Sequence, residues 1–135
     1  MRLSAADLFA VLGAASATRV DKPWGWEVHL TTDEFILKVI TVLDGHRTSL
    51  QRHEEKVEEI YVLDGTGGVA FYVLFVTGDG DRYQHVMTVR QGDSVRVEPG
   101  TIHRSIGPVT LLEVTTHPDT DVVRLEDDYA RPKAL

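Results

Sequence analysis

The hydrophobic positions divide the chain into a short helical segment and a long series of strands. Near the N-terminus, apolar residues recur at helical spacing and form one stripe: Leu8, Phe9, Val11 and Leu12. Ser4 is a suitable N-cap for this helix, and Asp7 places an acidic group in its first turn. We therefore predict a short α-helix and lead-in over residues 1–20, with the apolar stripe packed on the main domain or on a second subunit.

After Gly13 the apolar residues fall into short β-rich runs that are separated by glycine-containing turns. The clearest runs are Phe35 to Val42, Ile60 to Leu63, Val69 to Val76, Tyr83 to Val89, Ser94 to Val97 and Val109 to Thr115. Asp64-Gly65 and Gly78 to Asp81 predict hairpin turns, and the charged tail from 119 to 135 is expected to wrap the surface. Many short strands without intervening helices predict an all-β fold, and we expect a double-sheet jelly roll over residues 21–135.

Composition and charge exclude several classes of function. A net charge of −7 over 135 residues argues against a nucleic-acid partner, because phosphate binding needs clustered basic surface. The chain contains no cysteine and hence no disulfides or thiolate ligands, as is common in the reducing cytoplasm. No run reaches the roughly 20 apolar residues of a membrane span, and Asp7 interrupts the one run that resembles a secretory signal. We therefore expect a cytoplasmic protein without a nucleic-acid or membrane partner.

Four polar side chains from two segments suggest a single metal site. Gln51 and His53 are two residues apart in an extended segment, so they project to the same face. Glu58 follows the next turn, where a chain that folds back could return its carboxylate to the same point. His103, in the turn that begins at Glu98, would arrive from a strand distant in sequence. An amide oxygen, two imidazoles and a carboxylate suit Zn, Mn, Fe, Co or Ni and leave coordination positions free for water or substrate.

These segments resemble the two sequence motifs of the cupin superfamily. The first motif extends from Gly45 to Gly65 and the second from Gly92 to His103. Within the first, Ser49-Leu50-Gln51-x-His53 is similar to the metal motif of mannose-6-phosphate isomerases, with Gln51 in place of the first histidine of the usual cupin pair. The resemblance implies a cupin double-stranded β-helix with a short N-terminal α-helix, and a bound divalent metal, with Zn as the first choice.

Three further segments resemble the isomerase domain of type II (bifunctional) mannose-6-phosphate isomerases. They are Lys22-Pro23-Trp24-Gly25, His103-Arg104 and the stretch 121–131, so the likeness covers roughly Lys22 to Arg131. This sequence departs from the family in lacking the nucleotidyltransferase domain that normally precedes the isomerase domain, so we expect a stand-alone version of that domain. The metal would bind the sugar's carbonyl and adjacent hydroxyl while a proton moves between C1 and C2. The Gly78 to Asp81 loop and Glu98, where a proline is usual, depart from the family and leave the identity of the sugar open.

The resemblance also assigns roles to single residues. It makes Gln51, His53, Glu58 and His103 the metal ligands, and it selects Glu58 from an acidic run that otherwise indicates a solvated face. It places Arg104 in the site, although in a regular strand Arg104 and His103 point to opposite faces. Arg104 and Glu58 are therefore the catalytic candidates. Glu58 is a poor base while bound to metal, so a free carboxylate, an imidazole or a metal-bound hydroxide remain alternatives.

Several basic residues could bind a phosphate group of the substrate. The candidates are Lys22, Lys38, Arg47 and Lys56. Together with the motifs, they predict a metal-dependent aldose–ketose isomerase that acts on a sugar phosphate. The alternatives are a cupin epimerase, lyase or oxygenase of a small biosynthetic pathway, and a non-enzymatic sugar-binding cupin. Cupins commonly pair through edge strands or swapped termini, so we expect a homodimer.

Overall fold

The computed structural model describes residues 17–65, 70–76, 78–80 and 82–133. Over these ranges the chain forms eleven strands and no helix, which confirms the all-β prediction for this part of the chain. The predicted N-terminal helix lies outside the described residues. The strands are β1 (Thr18–Lys22), β2 (Gly25–Thr31), β3 (Ile36–Val42), β4 (Leu50–Arg52), β5 (Glu58–Gly65), β6 (Ala70–Val76), β7 (Arg82–Thr88), β8 (Ser94–Val97), β9 (Ile102–Ile106), β10 (Val109–Thr115) and β11 (Val123–Glu126).

The strands form two antiparallel sheets. Sheet A has the order β1-β2-β3-β10-β5-β8, and sheet B has the order β11-β4-β9-β6-β7. From β3 onward the chain crosses from one sheet to the other at almost every connection, which is the winding of a double-sheet jelly roll. Among the described residues, no helix is long and apolar enough to cross a membrane.

The inner face of sheet A changes from apolar to polar along its length. On β10 the residues Val109, Leu111, Glu113 and Thr115 are buried, and they share one face because side chains alternate along a strand. Val109 and Leu111 belong to the main apolar core, whereas Glu113 and Thr115 continue the same face beyond it. The polar end of the roll is therefore a built-in feature of the strand sequence.

A tight turn between β1 and β2 explains one of the motifs. Lys22 pairs with Gly25 across the turn, and Trp24 is buried in the main core. Gly25 has a φ of 153°, and a Cβ at this position would lie 1.9 Å from the backbone oxygen of Thr41. Only glycine lets the two strands approach so closely without a shift of the backbone.

Two predicted local features differ from the structure. Asp64-Gly65 does not close a hairpin, because β5 belongs to sheet A whereas β6 belongs to sheet B. The hairpin predicted at Gly78 to Asp81 is confirmed, since β6 and β7 are antiparallel neighbours and the pair nearest the turn is Val76 with Arg82. The tail does more than wrap the surface: residues Val123–Glu126 form β11, which pairs with β4. The closing segment therefore contributes a strand beside the predicted metal ligands.

Candidate metal site

A cavity of about 120 Å³ lies at the polar end of the roll. Its walls bring together three of the predicted ligands, namely Gln51, Glu58 and His103, and three of the predicted basic residues, namely Lys22, Lys38 and Lys56. His53 is fully buried directly behind this wall, where it contacts Glu58. The cavity is also lined by Glu113 and Arg124, to which no role was assigned from the sequence.

Three buried side chains converge on one point. His53 Nε2 lies 2.9 Å from Glu58 Oε1, and His103 Nε2 lies 3.2 Å from Glu58 Oε2. One ligand atom from each of the three residues lies within 4.8 Å of the others, and all three are at most 3% exposed. Two imidazoles and one carboxylate at this spacing are able to hold a divalent ion.

The backbone fixes the orientation of both imidazoles. His53 Nδ1 donates to the carbonyl oxygen of Asp121 at 2.6 Å, and His103 Nδ1 donates to that of Thr101 at 3.0 Å. A carbonyl oxygen only accepts, so each Nδ1 carries the hydrogen and each neutral ring has its lone pair on Nε2. His53 Nε2 and Glu58 Oε2 are buried without a hydrogen-bond partner in the described part of the chain. A cation at the centre would satisfy these atoms, so the residues fit a metal.

The charge of Glu58 also suits a ligand. Burial alone would raise the pKa of this carboxyl, but when His103 and His53 are protonated, hydrogen bonds from their Nε2–H groups and their positive charge hold its pKa well below the usual range. Glu58 is therefore an anionic carboxylate at neutral pH, as metal binding requires.

Gln51 lies next to this cluster on the neighbouring strand. It is directly opposite His103 in the β4–β9 pair, which puts both side chains on the same face of sheet B. Ser49 Oγ donates to Gln51 Oε1 at 2.8 Å, and Ser49 is itself buried. The amide oxygen has a second lone pair, so this contact orients the group without using up its capacity as an acceptor.

Asp121 anchors the loop that connects two of the converging residues. Its carboxylate accepts the backbone N–H groups of residues 54–56 at 2.8 to 2.9 Å, while its own carbonyl oxygen holds His53. Slight burial would raise the pKa of Asp121, but the three N–H groups lower it below its ordinary value. One residue thus fixes both the ring of His53 and the path of the chain toward Glu58. No spacing signal in the sequence identifies it.

The opposite wall of the cavity is the inner face of sheet A. His29, Lys38 and Glu113 lie in one row across β2, β3 and β10. Lys38 Nζ lies 2.5 Å from Asp119 Oδ1, so this predicted phosphate contact already has an acidic partner. Burial alone would lower the pKa of Lys38, but the negative charges around it, chiefly Glu27, raise it. Lys38 is therefore a paired cation.

Glu113 differs from the other acids of this wall. It has neither a hydrogen bond nor a salt bridge to any described residue, although it is only 8% exposed. It pairs with Ile60 in the β10–β5 ladder, so Glu58 is its diagonal neighbour on the same face. Burial, and then the negative charge of Glu58, raise the pKa of Glu113 well above its ordinary value, against the opposing charges of Lys38 and Lys56.

Two predicted site residues lie away from the cavity wall. Arg47 forms a two-pronged salt bridge with Asp128, at 2.7 and 2.9 Å, on the surface. Arg104 is buried and donates through Nε to the carbonyl oxygen of Thr48 at 3.1 Å. The alternation of β9 directs Arg104 away from the face that carries His103. Neither arginine lines the cavity, and a contact of either with a bound ligand stays a prediction.

The sequence has relatives among sugar-phosphate enzymes. The family model described as mannose-6-phosphate isomerase C-terminal matches residues 13–127. The xanthan biosynthesis protein XanB of Xanthomonas campestris pv. campestris is 30% identical over 130 residues, which cover 88% of this chain and 26% of that protein. A mannose-1-phosphate guanylyltransferase of Salmonella muenchen is 26% identical over 115 residues, which cover 79% of this chain and 22% of that protein. The chain thus spans about a quarter of the length of these relatives.

Solved structures agree on the fold. A structure of Bacillus subtilis oxalate decarboxylase, studied for its Mn(II) centres, matches with a TM-score of 0.61 at 14% identity and covers 82% of this chain and 31% of that one. At this identity the match shows the cupin fold alone. Together, the family match, the two motifs and the jelly-roll topology show that the chain belongs to the mannose-6-phosphate isomerase C-terminal family of cupin domains.

Proposed function

We propose that this domain is a metal-dependent aldose–ketose isomerase that acts on a sugar phosphate, similar to mannose-6-phosphate isomerase. The observation that carries the proposal is the convergence of His53, Glu58 and His103 beside a cavity with basic walls. Membership of the family supports the reaction class. The relatives XanB and mannose-1-phosphate guanylyltransferase, by their names, act in polysaccharide biosynthesis and on a mannose phosphate, which supports the substrate class.

The metal would be held by Gln51, His53, Glu58 and His103. We propose zinc, because a mixed set of nitrogen and oxygen ligands with open positions suits it, and manganese(II) is the alternative because the related cupin fold of oxalate decarboxylase carries it. When bound, the ion supplies Lewis acidity to the sugar oxygens at C1 and C2. The buried imidazoles and carboxylate are already oriented for it, so little reorganisation is needed on binding.

Glu113 is our candidate for moving the proton between C1 and C2. A free carboxyl on the cavity wall is one of the three alternatives that the sequence leaves open, and no hydrogen bond or salt bridge to a described residue would have to be displaced from Glu113. Burial and the charge of Glu58 raise its pKa well above the ordinary value of a carboxyl, which makes its carboxylate a stronger base than a solvent-exposed one. Lys38, in the same row of sheet A, stabilises the carboxylate form. Glu58 is not the base in this arrangement, since its oxygens face the imidazoles.

Trp24 offers a donor to the substrate's hydroxyl groups. Its side chain is 3% exposed and lines the cavity, and its indole N–H has no acceptor among the residues that the structure describes. Lys22, at the start of the same turn, is more exposed and lies at the cavity wall. A sugar bound against this wall would therefore find both a neutral and a charged donor.

The proposal is tested with the purified chain, stripped of metal and then reloaded with zinc or manganese(II). Mannose 6-phosphate, glucose 6-phosphate and pentose phosphates are supplied, and the ketose or aldose product is measured by a coupled assay. We expect turnover that chelation abolishes and that metal restores. Absence of turnover for every sugar phosphate, with metal demonstrably bound, would remove the isomerase assignment. Oxygen consumption with iron would favour an oxygenase, and thermal stabilisation by a sugar without product would favour a binding module.

We also propose a homodimer. The outer face of sheet A carries a second apolar cluster around Val28, Val39 and Leu63, with partly buried Trp26 and Leu112 packed against it. The three central side chains of this cluster are at most 7% exposed within a single chain, so the proposal rests instead on the pairing of cupin domains through edge strands or swapped termini. Light scattering on the full chain gives the mass directly, and a monomer at micromolar concentration would contradict the expectation.

A further inference from the structure

The basic residues of the cavity differ in whether they have an acidic partner. Five basic side chains line it: Lys22, Lys38, Lys56, Arg124 and Arg131. Four of them lie 2.5 to 3.8 Å from a carboxylate oxygen, and the partners in chain order are Glu27, Asp119, Glu58 and Asp127. In the part of the chain that the structure describes, Arg124 has no salt bridge to any carboxylate. Arg124 is therefore the one Lys or Arg side chain of this cavity that has no direct carboxylate partner among the described residues, although Asp127 and Glu27 act on its charge from farther away.

The contacts of Arg124 hold the guanidinium in place and leave donors available. Nη1 donates to the carbonyl oxygen of Pro132 at 2.9 Å, while Nε is buried without an acceptor. Burial, and then the positive charge of Arg131, lower the pKa of Arg124 below its ordinary value, which reflects an environment that disfavours the extra cation. A bound anion would accept a hydrogen bond from the Arg124 guanidinium and form an ion pair with its positive charge.

Strand register places Arg124 beside the metal ligands. In sheet B, Arg124 is directly opposite Gln51, which is directly opposite His103. Residues that face each other in this way have their Cβ atoms about 5 Å apart and project to the same side of the sheet. Arg124 is therefore two strands, or roughly 10 Å, from His103 along one row. This span is comparable with the length of a phosphorylated six-carbon sugar.

We infer that Arg124 binds the phosphate group of the substrate while the sugar's carbonyl end lies at the metal ligands. The inference rests on the proposed function and deepens it by assigning the phosphate end of the cavity. A guanidinium presents paired N–H donors that match phosphate oxygens, which the paired lysines Lys38 and Lys56 do not. Arg124 thus determines specificity for phosphorylated over free sugars.

The test measures binding separately from turnover. Calorimetry on the zinc-loaded full chain gives the Kd of inorganic phosphate, mannose 6-phosphate and mannose. For Arg124→Gln we expect the first two to bind roughly 10- to 100-fold more weakly, because a charged hydrogen-bonded contact is removed, while mannose affinity and zinc content stay unchanged. Arg124→Lys keeps the charge without the fork and should give a smaller loss. Arg96→Gln is the matched control, since Arg96 pairs with Glu98 on the exposed side of β8.

The outcomes separate this inference from the isomerase proposal. If the wild-type chain turns over no sugar phosphate but Arg124→Gln weakens phosphate binding, the phosphate site is supported and the isomerase proposal is contradicted. If Arg124→Gln isomerises mannose 6-phosphate with the wild-type Kd and KM, the isomerase proposal is supported and the phosphate site is contradicted. The inference would also be overturned if removal of zinc abolished phosphate binding while Arg124→Gln left the Kd of phosphate unchanged. If Arg124→Gln does not fold, Arg124→Lys replaces it, and an unchanged Kd of phosphate in Arg124→Lys would overturn the inference.

Discussion

The two walls of the cavity hold their buried polar groups in different ways. On the ligand wall, the imidazoles of His53 and His103 are fixed by backbone carbonyl groups. On the sheet A wall, side chains bind one another, as in the pairs Lys38–Asp119 and Glu27–His29. Backbone anchors give a rigid arrangement with lone pairs left over, which suits an ion. Side-chain pairs are able to exchange partners, which suits a substrate that enters and leaves.

The difference has an energetic side. Buried groups that lack partners, such as His53 Nε2 and Glu58 Oε2, destabilise the fold as long as no ion binds them. The charged pairs of the sheet A wall are satisfied without any ligand, whereas Glu113, Trp24 Nε1 and Thr115 Oγ1 on that wall have no hydrogen-bond partner among the described residues. Metal should therefore stabilise the folded chain through the ligand wall alone, whereas substitutions on the sheet A wall should leave metal affinity largely intact.

Loss of a ligand should have the largest effect. His53→Ala removes one of the three converging groups, so we expect zinc to be lost and kcat/KM to fall by at least about 1000-fold, since transition-state stabilisation by the ion is lost. The rise in thermal midpoint that zinc gives should disappear as well. Elemental analysis, kinetics and thermal unfolding measure the three effects. His117→Ala, which removes an exposed imidazole, is the control, and retention of zinc by His53→Ala would contradict the assigned site.

Removal of the free carboxyl should have the next largest effect and leave the metal in place. Glu113→Gln keeps the shape but cannot accept a proton, so kcat should fall roughly 100- to 1000-fold with zinc content unchanged. Because the pKa of Glu113 is raised, the active carboxylate form is gained as pH rises through that pKa. The acidic limb of the wild-type pH–kcat profile should therefore be missing in Glu113→Gln. A kcat and profile like those of the wild type would assign the proton transfer elsewhere.

Weakening the loop anchor should have a moderate effect on the ligand wall. In Asp121→Asn the carboxylate that holds the N–H groups of residues 54–56 is lost, so we expect zinc affinity to fall roughly 10- to 100-fold. The folded pKa of Asp121 is depressed, so its contribution to stability is complete above the unfolded value, about 3.9, and is lost as pH falls through the lower folded value. Competition with a zinc chelator measures the affinity. Equal affinity in Asn and Asp forms would show that the loop needs no anchor.

The ligand wall could be predicted from the sequence better than the sheet A wall. The spacing of Gln51 and His53 follows from strand alternation, and together with the motifs it predicts most of the ligand wall. Glu113 is a single acid within an apolar run, and its cross-strand neighbour Lys38 lies far away in sequence, so only the register of β3 with β10 reveals their proximity. Arg124 lies in a charged tail whose four-residue strand exists because the three-residue β4 pairs with it. Such short strands carry no periodic signal of their own.

The smallest expected effect comes from a residue that the sequence suggested for phosphate binding. Arg47→Gln breaks the salt bridge to Asp128, whose two side chains are 43% and 42% exposed. Water screens such a pair, so we expect the free energy of unfolding to fall by less than about 1 kcal/mol, and by less still at high salt. The KM for a sugar phosphate should stay at the wild-type value, because Arg47 lies off the cavity wall. Denaturant titration and kinetics measure both quantities. A rise in KM as large as that of Arg124→Gln would mean that the substrate extends over this surface, and the contrast between the two walls would then no longer account for specificity.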